Sequence, residues 1–237
     1  MTSIVSGNCG GSETKLAEVF SELRANGIAL NYSTLIGHNA VRREVMGSEQ
    51  RDPTPEEQAR MEALVEQAMR EGAVGLSTGL IYVPGTYSKT PEVVGLARAA
   101  ARHNGVYASH IRSEGTEVFS AIEEAIHIGR EAGVPVQISH FKVSNKKVWG
   151  QSAKTIGLVE KARTAGLDVT VDQYPYTASS TNLGTLLPSW ALAGGQAEIR
   201  KRIGDPATRR KIAREMREHI DKRNGRKRLD YAYVAQC

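Results

Sequence analysis

One cadence repeats along most of the chain: a helical stretch ends, a glycine turns the backbone, and a β-branched strand follows. It occurs at Gly27, Gly72, Gly105, Gly133 and Gly166, which lead into IALNYS, AVGLST, VYASH, VPVQISH and LDVTVDQ. Glycine suits the left-handed position just beyond a helix, because without a Cβ it takes positive φ at no steric cost. Strands joined through helices run parallel, since a tight hairpin joins only antiparallel neighbours. Five such units after an opening strand at 3–9 (SIVSGNC) predict six parallel strands with helices between them. An α/β chain of this kind folds as a doubly wound sheet or as a TIM-like (β/α) barrel. The barrel is the better fit, because polar residues gather at the strand ends in unit after unit.

The helices carry their own signals. Lys15–Ala25 is amphipathic, with Leu16, Val19, Phe20 and Leu23 on one face. Thr54 reads as an N-cap, Pro55 as the first helical residue, Glu57 as the partner in a capping box and Gly72 as the stop. Thr116–Glu131 places Val118, Ile122 and Ile126 on one stripe ahead of Gly133. After LDVTVDQYPYTASS the rhythm breaks. Residues 183–195 form a Gly- and Leu-rich loop with Trp190, residues 196–223 two charged helices around Gly204-Asp205-Pro206, and LDYAYVAQC a short strand-like end. Residues 1–182 are therefore expected to form the central part of a barrel, and 183–237 a late helical segment and short strand of the same domain. A full barrel has eight strands in about 250 residues. Six strands leave it incomplete, with the first and last missing.

Charge narrows the function classes. Residues 198–228 hold 13 Lys/Arg against 5 Asp/Glu, a net +8, so the remainder of a chain totalling +5 stands at −3. The basic character belongs to one late helical segment without interleaved aromatic residues, which argues against nucleic acid as a partner. The two cysteines, Cys9 and Cys237, sit at opposite ends with no framework spacing, which fits a reducing cytoplasm better than a disulfide scaffold. The N-terminal sequence has no signal-peptide pattern, and no apolar run approaches the ~20 residues that span a bilayer.

The candidate chemistry lies at the strand ends. His110 and His140 each close a β-branched run where strand gives way to loop. Consecutive parallel strands end on the same side of a sheet, so two imidazoles thirty residues apart in sequence are expected to be neighbours in space. Cys9, in Gly7-Asn8-Cys9-Gly10-Gly11, falls at that same end. A thiolate and two imidazoles form a competent set for catalytic Zn²⁺, which takes three protein ligands and keeps one position open. GLSTG at 75–79 matches the G-x-S-x-G nucleophile elbow, but a loop with Pro84 and Gly85 follows where that motif needs a helix. Ser77 is therefore read as a loop residue at a strand end. Asp172 is the only local carboxylate for proton transfer, and a turn-forming hydrogen-bond role suits it better. His38 and His103 are read as structural, His103 in the last turn of its helix.

Together GNCG, GLSTGLIYVPG, GVYASHIRSEG, VQISHFK and DQYPYTASS resemble the N-acyl-D-amino-acid deacylases (D-aminoacylases) of the metal-dependent amidohydrolase superfamily, across residues 3–235. The resemblance implies a TIM-like barrel of the amidohydrolase type, Zn²⁺ as cofactor, and metal ligands at Cys9, His110 and His140. It also implies substrate contacts from Lys142 and Tyr174. The implied activity is hydrolysis of an N-acyl-D-amino acid, a small-molecule substrate, with no nucleic acid and no membrane involved. That family also carries a His-x-His pair on its first barrel strand and a late aspartate that serves as general acid/base. Neither motif occurs here, so the catalytic acid/base is unassigned and the chain resembles a central portion of such an enzyme. A catalytically inert metal- or ligand-binding remnant and a hydantoinase-like hydrolase of cyclic amides are the alternatives.

Overall fold

The computed structural model describes residues 1–235. Its elements run β1 (Ser3–Ser6), α1 (Leu16–Asn26), β2 (Asn31–Thr34), β3 (Ile36–Gly37), α2 (His38–Met46), α3 (Pro55–Glu71), β4 (Gly75–Gly79), α4 (Thr90–Ala101), β5 (Val106–His110), α5 (Val118–Ala132), β6 (Val136–Ile138), α6 (Ser152–Thr164), β7 (Val169–Val171), α7 (Gly195–Gly204) and α8 (Pro206–Asn224). Local signals set the helix ends. The Thr54 hydroxyl accepts the Glu57 amide at 3.2 Å while the Glu57 carboxylate accepts the Thr54 amide at 2.9 Å, the reciprocal capping box expected there. Gly72 and Gly133 close α3 and α5 in the left-handed conformation. At the end of α4 the left-handed residue is Asn104 (φ 56), one position before the expected Gly105. Gly105 is needed for space instead, since a Cβ there would sit 2.7 Å from Met69 Cε. His103 lies just beyond α4 rather than in its last turn.

Strands β3 to β7 form one five-stranded sheet in chain order, and β1 and β2 a second, two-stranded one; every pairing is parallel. The strand expected at IALNYS thus appears as β2, and the chain passes on through the short β3 into the other sheet. The division coincides with a turn after the first strand, which ends at Ser6 rather than residue 9. Gly7 turns with φ 76, and its Cα approaches the Leu35 carbonyl so closely that a Cβ would lie 2.1 Å from that oxygen. The β1 ladder cannot continue past this point. Backbone bonds from Leu35 to Ser6 (3.0 Å) and from Val74 to Thr34 (2.9 Å) bridge the gap.

The order has no reversal point, so the sheet is not doubly wound. Consecutive helices α2 to α6 each pack on the next, which puts them all on one face. That face receives the register row Leu76, Tyr107, Val136 and Val169, all buried. The opposite face carries the polar or small row Ser77, Ala108, Gln137 and Thr170. Under the helices, His38 lies 2.8 Å from Glu92, whose other oxygen accepts from Arg42; all three are buried. This is a structural position for His38.

The late segment docks on the loops at the strand C-termini. Asn145 Nδ2 donates to the carbonyls of Asp221 (2.9 Å) and Lys222 (2.6 Å) at the end of α8, and the Thr116 amide donates to Lys222 (3.2 Å). Residues 229–235 form no strand; Gln236 and Cys237, the end of the expected LDYAYVAQC piece, lie outside the described residues. Among the described residues no helix is long and apolar enough to cross a membrane.

Candidate metal centre

Cys9 is presented on a turn that only small residues can make. Cys9 itself has φ 56, and Gly10 follows with φ 79. A Cβ on Gly10 would lie 2.2 Å from Asn39 Oδ1 and 2.7 Å from the Gly79 nitrogen. The turn is seated from below by Ser77, whose hydroxyl accepts the Gly10 amide at 3.0 Å and donates to the Gly7 carbonyl. Ser77 lies in the middle of β4 and not, as expected, in a loop; it is fully buried and committed to both bonds, so it is an anchor for the Cys9 turn and not a nucleophile.

His110 ends β5. His140 stands two residues beyond β6, shorter than the expected strand, in a turn with φ 41. Asp172 makes that turn: its carboxylate accepts from the His140 amide and from Gln137 Nε2, and its carbonyl accepts the Phe141 amide at 2.8 Å. The exposed Asp172 therefore has the turn-forming role. His140 Nε2 lies 3.8 Å from Cys9 Sγ and 2.7 Å from His110 Nδ1. One ligand atom from each of Cys9, His110 and His140 lies within 4.8 Å of the others.

On the far side of the His140 ring, Nδ1 is 2.9 Å from Glu114 Oε1. The same oxygen accepts from Lys142 Nζ at 2.6 Å, and Glu114 Oε2 accepts from Ser144 Oγ at 3.1 Å. Burial alone would raise the Glu114 carboxyl, but the His140 and Lys142 contacts outweigh it and hold it at about 2. Burial opposes a charge on His140 as well, yet hydrogen bonds to Cys9 and Glu114 push its pKa up to about 9. His110, buried without a carboxylate contact of its own, is pushed down to about 3. The assignment that satisfies these partners is a charged His140, donating Nδ1–H to Glu114 and Nε2–H to a neutral His110. His110 Nε2 is then buried with no hydrogen-bond partner.

Lys142 lies beyond β6, with its side chain mostly buried. Its ammonium folds back to Glu114 and to the His140 carbonyl (3.1 Å), 5.3 Å from the centre of the Tyr174 ring. Tyr174 is half-buried, with its ring edge-on to His140 at 6.4 Å. Beside His110 and Glu114 opens a cavity of about 580 Å³, bounded by Arg112, Thr185, Trp190, His219 and Arg223. Glu114 is the participant that sequence reasoning missed. It sits inside the quoted GVYASHIRSEG, but a lone glutamate in a loop has no periodicity or spacing to mark it.

A D-aminoacylase of Alcaligenes xylosoxydans xylosoxydans is 40% identical over 206 residues, covering 77% of this chain and 42% of that protein. A D-aminoacylase crystal structure said to define a novel subset of amidohydrolases aligns with TM-score 0.70 at 37% identity, over 76% of this chain and 42% of that one. The chain belongs to the D-aminoacylase family of amidohydrolases. Another member, N-acyl-D-glutamate deacylase from Bordetella bronchiseptica, was solved with zinc and a phosphonate mimic of the tetrahedral intermediate. It aligns with TM-score 0.73 at 31% identity, over 93% of this chain and 57% of that one. No family model matches the chain. The chain thus spans less than half the length of the curated D-aminoacylase it matches. The donors of this family member suit a cation chemically: one thiol and two imidazoles converge, with His140 Nε2 facing both Cys9 Sγ and His110 Nδ1.

Proposed function

We propose that the chain supplies the metal-binding part of a zinc-dependent N-acyl-D-amino-acid deacylase, which hydrolyses the amide bond to a carboxylate and a D-amino acid. The convergence of Cys9, His110 and His140 beside the strand C-termini, in a member of this family, carries the reading. Zinc is favoured over harder cations by the thiolate and imidazole donors. When bound, zinc would lower the pKa of a water molecule and polarise the amide carbonyl.

The remaining roles fall to side chains. Lys142, with Tyr174 beside it, anchors the substrate α-carboxylate; the ammonium is mostly buried and lies next to a metal ligand. The sheet is one arc of a (β/α) barrel. Its sequential parallel order and the helices confined to one face support this, and β3 and β7 are its edge strands among the described residues. Further strands would complete the barrel, with 1–182 and 183–237 in one catalytic domain.

The test is a substrate panel on the zinc-loaded protein in the polypeptide that completes the barrel. N-acetyl-D-amino acids are expected to release D-amino acid, their L enantiomers none, and a chelator should abolish release. Ring opening of hydantoins or dihydropyrimidines without that release would overturn the substrate assignment. Stoichiometric zinc with no turnover at all would favour a metal-binding remnant.

A further inference from the structure

Of the two imidazoles in the metal cluster, only one is steered from behind. His110 Nε2 is buried without a partner, whereas His140 Nδ1 faces the Glu114 carboxylate at 2.9 Å. An ionised carboxylate only accepts, so His140 Nδ1 must carry the proton and Nε2 is the atom left to face Cys9 and His110. Lys142 Nζ also approaches Nδ1, at 3.2 Å, but two of its three hydrogens have acceptors in Glu114 Oε1 and the His140 carbonyl, and the shorter 2.9 Å contact to Glu114 is the one that places the proton on Nδ1. Glu114 is itself fixed. Its Oε2 accepts from Ser144 Oγ, and its carbonyl accepts the Ser144 amide at 2.8 Å, tying the loop after β5 to the loop after β6.

We propose that Glu114 is a positioning residue that acts through two others, setting the tautomer and orientation of His140 while holding the Lys142 ammonium beside it. One oxygen, Oε1, meets both groups. Metal ligation and the proposed substrate-carboxylate anchor are therefore built on a single side chain. Removing its charge loosens the metal ligand and frees the lysine together. The inference rests on the metal-site reading above, and it concerns a residue that touches neither metal nor substrate.

The test is zinc affinity, read by competition with a chromophoric chelator at fixed pH on the 237-residue protein. Glu114→Gln is expected to weaken zinc about 10- to 100-fold, the usual loss when a carboxylate behind a ligating histidine is removed. Lys142→Met keeps Glu114 against His140 and is expected to leave zinc affinity within about threefold of wild type, inside the scatter of single-contact effects. Substituting Co²⁺ adds a signature that a merely structural role would not move. The thiolate-to-cobalt absorption should shift or weaken in Glu114→Gln while thermal unfolding of the metal-free proteins stays matched. If that variant is poorly folded, Ser144→Ala removes only the Oε2 contact and should produce a smaller loss in the same direction. Wild-type protein that binds no zinc would overturn the metal-site reading itself. Wild type that binds zinc, with folded Glu114→Gln binding equally well, would overturn the role of Glu114 alone.

Discussion

The Ser77 hydroxyl accepts the Gly10 amide at 3.0 Å, so a fully buried strand residue holds the turn that presents Cys9. Ser77→Ala leaves that amide and the Gly7 carbonyl without their partner. An unsatisfied buried group costs about 1–3 kcal/mol, and that loss is expected in urea unfolding of the variant. A fluorophosphonate probe should label neither wild type nor variant, because the serine is not a nucleophile. A stability change within about 0.5 kcal/mol, the range of ordinary surface substitutions, would show that the turn is held by other means.

Zinc content tests the cluster directly. The purified protein is expected to carry about one zinc per chain, given a single three-ligand set among the described residues. His110→Ala and His140→Ala each remove one imidazole, and elemental analysis should find zinc strongly reduced in both. Full zinc in both variants would remove these histidines from the ligand set.

How much of this was legible in advance depended on the range of the interactions involved. The Thr54–Glu57 capping box and the strand-end position of His110 are set by a few neighbouring residues, and the sequence displays them. The meeting of Cys9, His110 and His140 followed from parallel topology plus residue type. The break at Leu35 could not be read, because it lies where the Gly7 turn approaches the Leu35 carbonyl, a contact between segments distant in sequence. Glu114 was hidden for a related reason: its role exists only because the loop after β6 returns His140, Lys142 and Ser144 to it. The direction of Lys142 was hidden likewise, because it is set by Glu114 and by the His140 carbonyl.

The His38–Arg42–Glu92 group makes the fold sensitive to acid. Burial would raise the Glu92 carboxyl, but bonds from His38 and Arg42 outweigh it and lower its pKa below the ordinary 4.5. A carboxylate depressed in the folded state contributes stability above its unfolded pKa and loses it as pH falls through the folded value. Part of the stability should therefore disappear below about pH 4.5 in wild type but not in Glu92→Gln. At neutral pH that variant leaves Arg42 buried without its counter-charge and is expected to cost about 3–5 kcal/mol. Parallel pH–stability curves for the two proteins would sink this account.

Lys142 offers the sharpest test of the proposed substrate assignment. Its ammonium is mostly buried and already contacts Glu114 at 2.6 Å, so it does not wait as an unpaired charge. A substrate carboxylate must therefore join an existing pair rather than neutralise a free cation. The Tyr174 ring, 5.3 Å from the ammonium, borders the space it would enter. Losing one partner of a desolvated charge pair costs about 2–5 kcal/mol, and the prior pairing with Glu114 places the expected effect toward the lower end. A contact equal in ground and transition states raises KM and spares kcat. In a catalytically competent form of the protein, Lys142→Met is accordingly expected to raise KM for N-acyl-D-amino acids at least about tenfold, the equivalent of 1.4 kcal/mol, with kcat little changed. The corresponding C-terminal amides lack the carboxylate and should lose almost nothing. The measurement is the ratio of kcat/KM for free acid over amide in each protein. If wild type and Lys142→Met prefer the acid by the same factor, another residue holds the carboxylate, and Lys142 serves only to neutralise Glu114.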